Sequence, residues 1–414
     1  MDLFALAALM CLVVVTIGYL VNKYLRLPWM FTVVILGMVL GNFDWASTII
    51  HSTDFQFLAR LGMLFFLFTI GIDLDLQQIR KMGKHIVFGN IILTLSEGLI
   101  LGSLFYFGFP ELVNNSFVIA LLAGVAFGTV GEVILLAILK EFGLEKTKFG
   151  QLALGIGVFD DIFEILVLAI IISIPQLILP GSTNADAPNV IDLLVPLFGI
   201  IIITIVLVIF GKYIKPLLAK LKPDSFAVPF LIFMVIFAYL FFGTNRNEDM
   251  GVIAAIFSGI AVNQLLPEGF IQQFKKPLFF IANIFLGPFF FLSLGGKMSF
   301  SALTSLPLLI TLIILISLAV RIGVSYLLFN RLLGKRQAAI MGVGLTAKFS
   351  TSVISENLLY TTGLIAQPLY TAIMAAFIIL KPIIVGVFSR ELSVHKEKIL
   401  KVSTVNPTNI EVQS

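Results

Sequence analysis

The sequence predicts an all-α polytopic membrane protein of about thirteen transmembrane helices, and three observations carry that prediction. Hydrophobic residues make up 59% of the 414 residues and charged residues only 12%, against about 45–50% and about 25% in an ordinary soluble chain. The apolar residues gather in runs of the roughly 20 residues that a spanning helix needs, and the mean hydropathy is +1.08. Basic residues sit mainly in the short connections between those runs. This composition excludes a soluble globular enzyme, a disordered protein and a nucleic-acid binder. The pI of about 9.0 reflects membrane topology, because the formal net charge is only +4 and no phosphate-binding face collects it. The single cysteine, Cys11, excludes a disulfide framework and a Cys-based metal site. His51, His85 and His395 are too far apart in sequence to argue for a His-metal centre. No cofactor is called for.

The predicted helices cover residues 2–22, 28–43, 56–74, 85–108, 116–139, 149–174, 190–211, 226–243, 249–266, 277–295, 302–329, 337–356 and 363–388. The first begins at Asp2 and lacks the basic n-region of a cleaved signal peptide, so it reads as a retained span. With the N-terminus outside, the odd-to-even connections and the C-terminal end hold 22 of the 27 Lys and Arg residues, Lys381 among them. The opposite connections hold Arg246 and Lys297, and Arg60, Arg321 and Lys348 fall inside helices. That is the positive-inside pattern. Residues 1–388 therefore read as one membrane domain and 389–414 as a short cytoplasmic tail. The expected location is a cell inner membrane.

Ionisable residues inside a bilayer are costly and mark function by default. Eight qualify: Arg60, Glu97, Glu132, Asp160, Asp161, Glu164, Arg321 and Lys348. Arg60 lies a turn into its helix, where a long side chain can snorkel. Asp160 and Asp161 sit mid-helix and point about 100° apart. Two carboxylates this close do not both ionise cheaply, so one can hold either a proton or a cation. That is the chemistry of proton-coupled cation exchange. Glu164, four residues after Asp160, is a possible accessory on the same face.

Two helices carry Gly-rich interruptions, Gly124 to Glu132 and Gly342 to Lys348, each with a Thr and a terminal charge of opposite sign. Interruptions at corresponding places in two halves point to a transporter site built on an inverted repeat; small residues also serve close helix packing. The expectation is that two broken helices cross, with Glu132 and Lys348 neutralising each other and the half-helix dipoles. Arg321 needs a buried counter-charge; Asp160 is the expected partner, with Glu164 or Glu97 as alternatives.

The chain is similar to the bacterial monovalent cation:proton antiporter superfamily, nearest to NapA-type sodium/proton antiporters and the membrane domains of glutathione-gated potassium/proton exchangers. Leu67 to Leu76 resembles the signature Leu-Phe-x-x-Gly-Leu-Glu-x-Asp-Leu, Leu154 to Asp161 resembles the ion-binding helix, and Gly287 to Gly295 resembles a Pro-x-Phe-Phe-x-x-x-Gly segment. The resemblance implies an NhaA/NapA-like inverted repeat, a core of helices 4–6 and 11–13, and a homodimer formed through a second panel. It implies that Asp161 binds Na+ or Li+, with Asp160 as second carboxylate and Thr129 and Val130 supplying oxygens from the unwound helix. K+ is the alternative ion. Arg321 stands where electrogenic members carry a Lys. Arg stays protonated, so a mechanism in which that Lys carries a proton does not transfer, and stoichiometry stays open. Lys348 is a second departure. Among rivals, a channel would need rings of polar residues. An intramembrane aspartyl protease would need its two Asp on facing helices, whereas Asp160 and Asp161 are adjacent.

Overall fold

The computed structural model describes residues 3–25, 28–73, 83–131, 135, 138–139, 141–144, 147–178, 190–218, 226–245, 248, 250–348 and 351–404; the side chain of Asp161, among others, lies outside the described set. The described residues are helical or in short connections. In chain order the helices are α1 (Leu3–Val13), α2 (Tyr19–Leu25), α3 (Trp29–Leu40), α4 (Asp44–Ile50), α5 (Thr53–Asp73), α6 (Lys84–Gly108), α7 (Phe117–Phe127) and α8 (Lys148–Ile178). There follow α9 (Val190–Leu218), α10 (Ala227–Thr244), α11 (Met250–Leu265), α12 (Glu268–Phe279), α13 (Gly287–Gly296) and α14 (Phe300–Ser305). The chain continues with α15 (Pro307–Leu333), α16 (Lys335–Leu345), α17 (Thr351–Thr361) and α18 (Gln367–Thr404). A π turn joins α1 to α2 and another joins α12 to α13. Among the described residues seven helical stretches are long and apolar enough to cross a membrane, and shorter apolar helices accompany them.

Helix starts follow local chemistry. The Ser116 hydroxyl accepts from the Ile119 amide ahead of α7, and Ser299 does the same for Ala302 ahead of α14. Pro307 opens α15, where its missing N–H costs nothing. Gly334, at φ +89°, separates α15 from α16. Helix ends depart from the apolar windows where polar helix formers continue a turn. Thus α18 runs sixteen residues beyond the expected end at 388, through a segment where Glu391 and His395 are spaced i,i+4. Likewise α12 begins at Glu268, nine residues before the window at 277. Hydropathy measures depth in the bilayer, not the end of the hydrogen-bond ladder.

The chain forms two compact units. The first comprises 1–14, 33–75 and 168–296. Its helices cross at small residues: a Cβ on Gly71 would collide with the Ile256 carbonyl, and one on Gly62 would lie 2.5 Å from the Leu286 oxygen. Its interior is largely apolar, with buried hydroxyls at Thr69, Thr204, Ser258 and Ser293, and Thr204 meets the Tyr239 hydroxyl at 2.9 Å. Arg60 pairs with Glu248, on carboxylate and backbone carbonyl, and Lys275 pairs with Asp73. Arg60 thus has a defined partner besides any snorkelling.

The second unit comprises 15–32, 76–167 and 297–414. Here α6 and α7 cross at Gly98, Gly102 and Gly124, and a Cβ on Gly102 would lie 2.8 Å from the Leu121 Cα. Gly342 of α16 lies as closely on α15. Helix α7 stops at Phe127 and residues 129–131 are not helical; α16 stops at Leu345 and 346–348 are not helical. The Gly131 amide donates to the Ala347 carbonyl at 2.6 Å, so these two stretches meet. The Gly-rich runs therefore serve both uses: Gly124 and Gly342 pack helices, and the interruption comes after them.

Candidate functional site

The site lies in the second unit. Asp160 of α8 is fully buried. Its Oδ2 accepts the Val130 backbone N–H at 2.5 Å, and its Oδ1 lies 3.3 Å from the Thr94 hydroxyl of α6. The Val130 amide is available because α7 has ended; inside a helix it would be committed to a carbonyl four residues back. The Thr94 hydroxyl also lies 3.4 Å from the Gly128 carbonyl and from Asn90 Oδ1. One hydroxyl proton serves one of these acceptors at a time.

Glu97, one turn further along α6, is the centre of a buried charge cluster. Its Oε2 accepts from Arg321 Nε at 2.5 Å and Lys348 Nζ at 2.9 Å, and its Oε1 accepts from the Ser317 hydroxyl at 2.5 Å. All three charged side chains are wholly buried. The Lys348 ammonium also stands 4.7 Å over the Phe127 ring. The two terminal guanidinium nitrogens of Arg321 have no hydrogen-bond partner among the described residues. This corrects one expectation: Arg321 pairs with Glu97, the alternative, and not with Asp160. Lys348 pairs with the same carboxylate; its expected partner Glu132 lies outside the described residues. Glu97 outcompetes because α6 carries it between α15 and the 346–348 stretch, where one carboxylate can serve both bases.

Glu164, one turn beyond Asp160, is buried and accepts from Thr351 and, at 3.1 Å, from the Ser355 hydroxyl, both on α17. The next face of α17 places Ser352 against the Thr129 hydroxyl. Thr129 also donates to the Ala126 carbonyl at 3.1 Å. Asp160, Thr129, Val130 and Glu164 are thus gathered around the two non-helical stretches, and Arg321 and Lys348 stand beside them on Glu97. The side chain of Asp161 lies outside the described residues.

The residues not anticipated at the site are Asn90, Thr94, Ser317 and the polar face of α17. Thr351, Ser352, Ser355 and Glu356 are all buried; their i, i+1, i+4, i+5 spacing was the available signal. Lys381, tallied with the cytoplasmic charges, is buried in α18 with its ammonium 4.9 Å over the Phe31 ring. Among the described residues no three His, Cys, Asp or Glu side chains converge on a metal position. The site offers what a monovalent cation or a proton uses, carboxylates with hydroxyls and backbone groups around them.

The family described as "Sodium/hydrogen exchanger, transmembrane" matches residues 11–391. The chain belongs to this family. It is thus a multi-span membrane protein of an antiporter family. It is 25% identical over 403 residues to an Na(+)/H(+) antiporter of Enterococcus hirae, covering 93% of this chain and 98% of that protein. It is 28% identical over 297 residues to the K(+)/H(+) antiporter subunit KhtU of Bacillus subtilis, covering 69% and 68%. The solved structure of the sodium proton antiporter MjNhaP1 from Methanocaldococcus jannaschii shares the fold of this exchanger-family chain, with a TM-score of 0.58, 15% identity and coverage of 97% and 99%.

Proposed function

We propose that this chain exchanges a monovalent cation for a proton across a cell inner membrane. The carrying observation is the buried Asp160, held by the Val130 amide at the point where the two non-helical stretches meet. In this reading the chain has thirteen spans with two crossed, interrupted helices, and its C-terminus is cytoplasmic. Asp161, adjacent to the anchored Asp160, takes Na+ or Li+ with oxygens from Thr129, backbone and water, as hard cations prefer. A proton competes for the same carboxylate. Movement of the site-bearing unit then exposes it to the other side, and a second copy supports the other unit as a homodimer.

The charge cluster favours one-for-one exchange. Arg321 and Lys348 both bind Glu97, so neither base is freed or recaptured when a cation replaces a proton at the Asp pair. The Enterococcus relative supports Na+; the Bacillus relative supports K+ as the second reading.

The test uses purified protein in liposomes carrying a pH-sensitive dye. An imposed proton gradient should collapse on addition of Na+ or Li+, lose at least ten-fold of its rate in Asp161→Asn, and respond equally with and without a potential clamp. Unchanged exchange in Asp161→Asn would refute the ion site; a clamp-dependent rate would refute one-for-one exchange.

A further inference from the structure

Glu356 is the one carboxyl side chain of α17, and the exchange mechanism above does not use it. It is fully buried, and neither carboxylate oxygen has a hydrogen-bond partner among the described residues. Leaving a buried acceptor unsatisfied is costly, and more so if it is charged. Helix α17 packs against α7, which has no titratable residue, and against α18. It also meets Glu164 of α8 and Lys297 through hydrogen bonds from or to Thr351, Ser355 and Asn357; none of these bonds reaches a Glu356 oxygen. Nearby on α18, Tyr370 is itself buried and stacked at 4.8 Å on Tyr360 of α17.

Its position on the helix is informative. Glu356 follows Ser352 by four residues, so the two share one face of α17, and Ser352 is the residue in contact with the Thr129 hydroxyl. The adjacent face carries Thr351 and Ser355, both bonded to Glu164. Next to Glu356 in sequence, Asn357 accepts from Lys297 Nζ at 2.9 Å. A polar strip therefore runs along α17 from the Asp160–Glu164 region past Ser352 to Glu356. Hydroxyls both donate and accept, so Thr129 and Ser352 can each take one proton and give up one, ending unchanged.

We propose that Glu356 is a proton-relay carboxyl, exchanging a proton with the cation site through Ser352 and Thr129. Each transfer moves one H+ between two carboxyl groups, breaking one O–H bond and forming one, and needs no other reactant. The proposal rests on the antiporter reading, and its test separates the two.

The experiment compares Na+/H+ antiport with Na+/Na+ exchange, measured with labelled Na+ in the same proteoliposomes. Na+/Na+ exchange needs the ion site and the movement of the unit, but no net proton transfer. Glu356→Gln should lower antiport at least ten-fold while keeping Na+/Na+ exchange within about two-fold. Glu356→Asp should recover most of the antiport. Ser352→Ala, which keeps the carboxyl, should show the same selective loss to a smaller degree and serves if Glu356→Gln does not fold. Equal effects on both activities, or none on either, would overturn the relay. Absence of both activities in the unsubstituted protein with any monovalent cation would overturn the antiporter reading itself.

Discussion

In the first unit the ion pairs Arg60–Glu248 and Lys275–Asp73 join side chains between 38% and 77% exposed. In the second, Glu97, Arg321 and Lys348 meet with no exposure at all. An exposed pair stabilises by about 0–1 kcal/mol, whereas desolvating charges costs several kcal/mol per ion before their attraction returns it. A fold that sought only stability would use apolar residues at these positions. The difference teaches where the work is done: the first unit packs glycines and phenylalanines, and the second keeps charge where charge is expensive.

That comparison can be broken or sharpened by substitution. The largest effect is expected from Glu97→Gln, which strands Arg321 and Lys348 as buried like charges. Stability should fall by about 3–5 kcal/mol, visible as a lower thermal midpoint in detergent; a midpoint unchanged from the parent would show that water or another group already neutralises the bases. Next comes Gly71→Ala in the first unit, whose added methyl meets the backbone of α11. The cost should be about 1–3 kcal/mol by overpacking. Its control is Gly323→Ala, where nothing lies within 4 Å of a new Cβ, with an expected gain of about 0.5–1 kcal/mol from helix preference. A smaller loss, of about 1 kcal/mol, should follow Tyr239→Phe, which removes one of the two hydrogen-bond partners of the Thr204 hydroxyl. Arg60→Ala should change stability by no more than about 1 kcal/mol and leave transport intact; a large loss of transport there would erase the contrast between the units.

A pH dependence follows from the connection after α13. Burial lowers the Lys297 ammonium to about 8, below its ordinary value near 10.5. Between those values the unfolded chain binds the proton that the folded chain has released, so this residue's contribution to stability rises with pH across that interval. Melting curves of the parent and of Lys297→Met should diverge there; parallel curves would contradict the assignment.

Much of this was legible in the sequence. The apolar runs located the helices because the bilayer imposes a length, and the Gly-rich interruptions located the non-helical stretches because helix packing and backbone release both favour glycine. Asp160 stood out as a charge in the middle of an apolar helix, and Thr129 and Val130 were expected from the family resemblance. Pairing was harder. Which carboxylate serves Arg321 depends on how α6 lies beside α15, and a helix of buried Gly, Thr and Glu reads the same whichever neighbour it meets. Glu97 therefore looked like one charge among eight. The polar face of α17 escaped notice because its hydroxyls sit in a short helix, and short hydroxyl side chains are also common in helices with no such role.

Asp160 is gripped by the amide of Val130, and an amide belongs to the backbone whatever residue is encoded there. Genetic drift at position 130 can change bulk and polarity without loosening that bond, and only a proline codon deletes the donor. A saturation library at this position should tolerate most exchanges that fit the space and lose proline, so that a residue holding the site together would look, to a survey of side chains, almost dispensable.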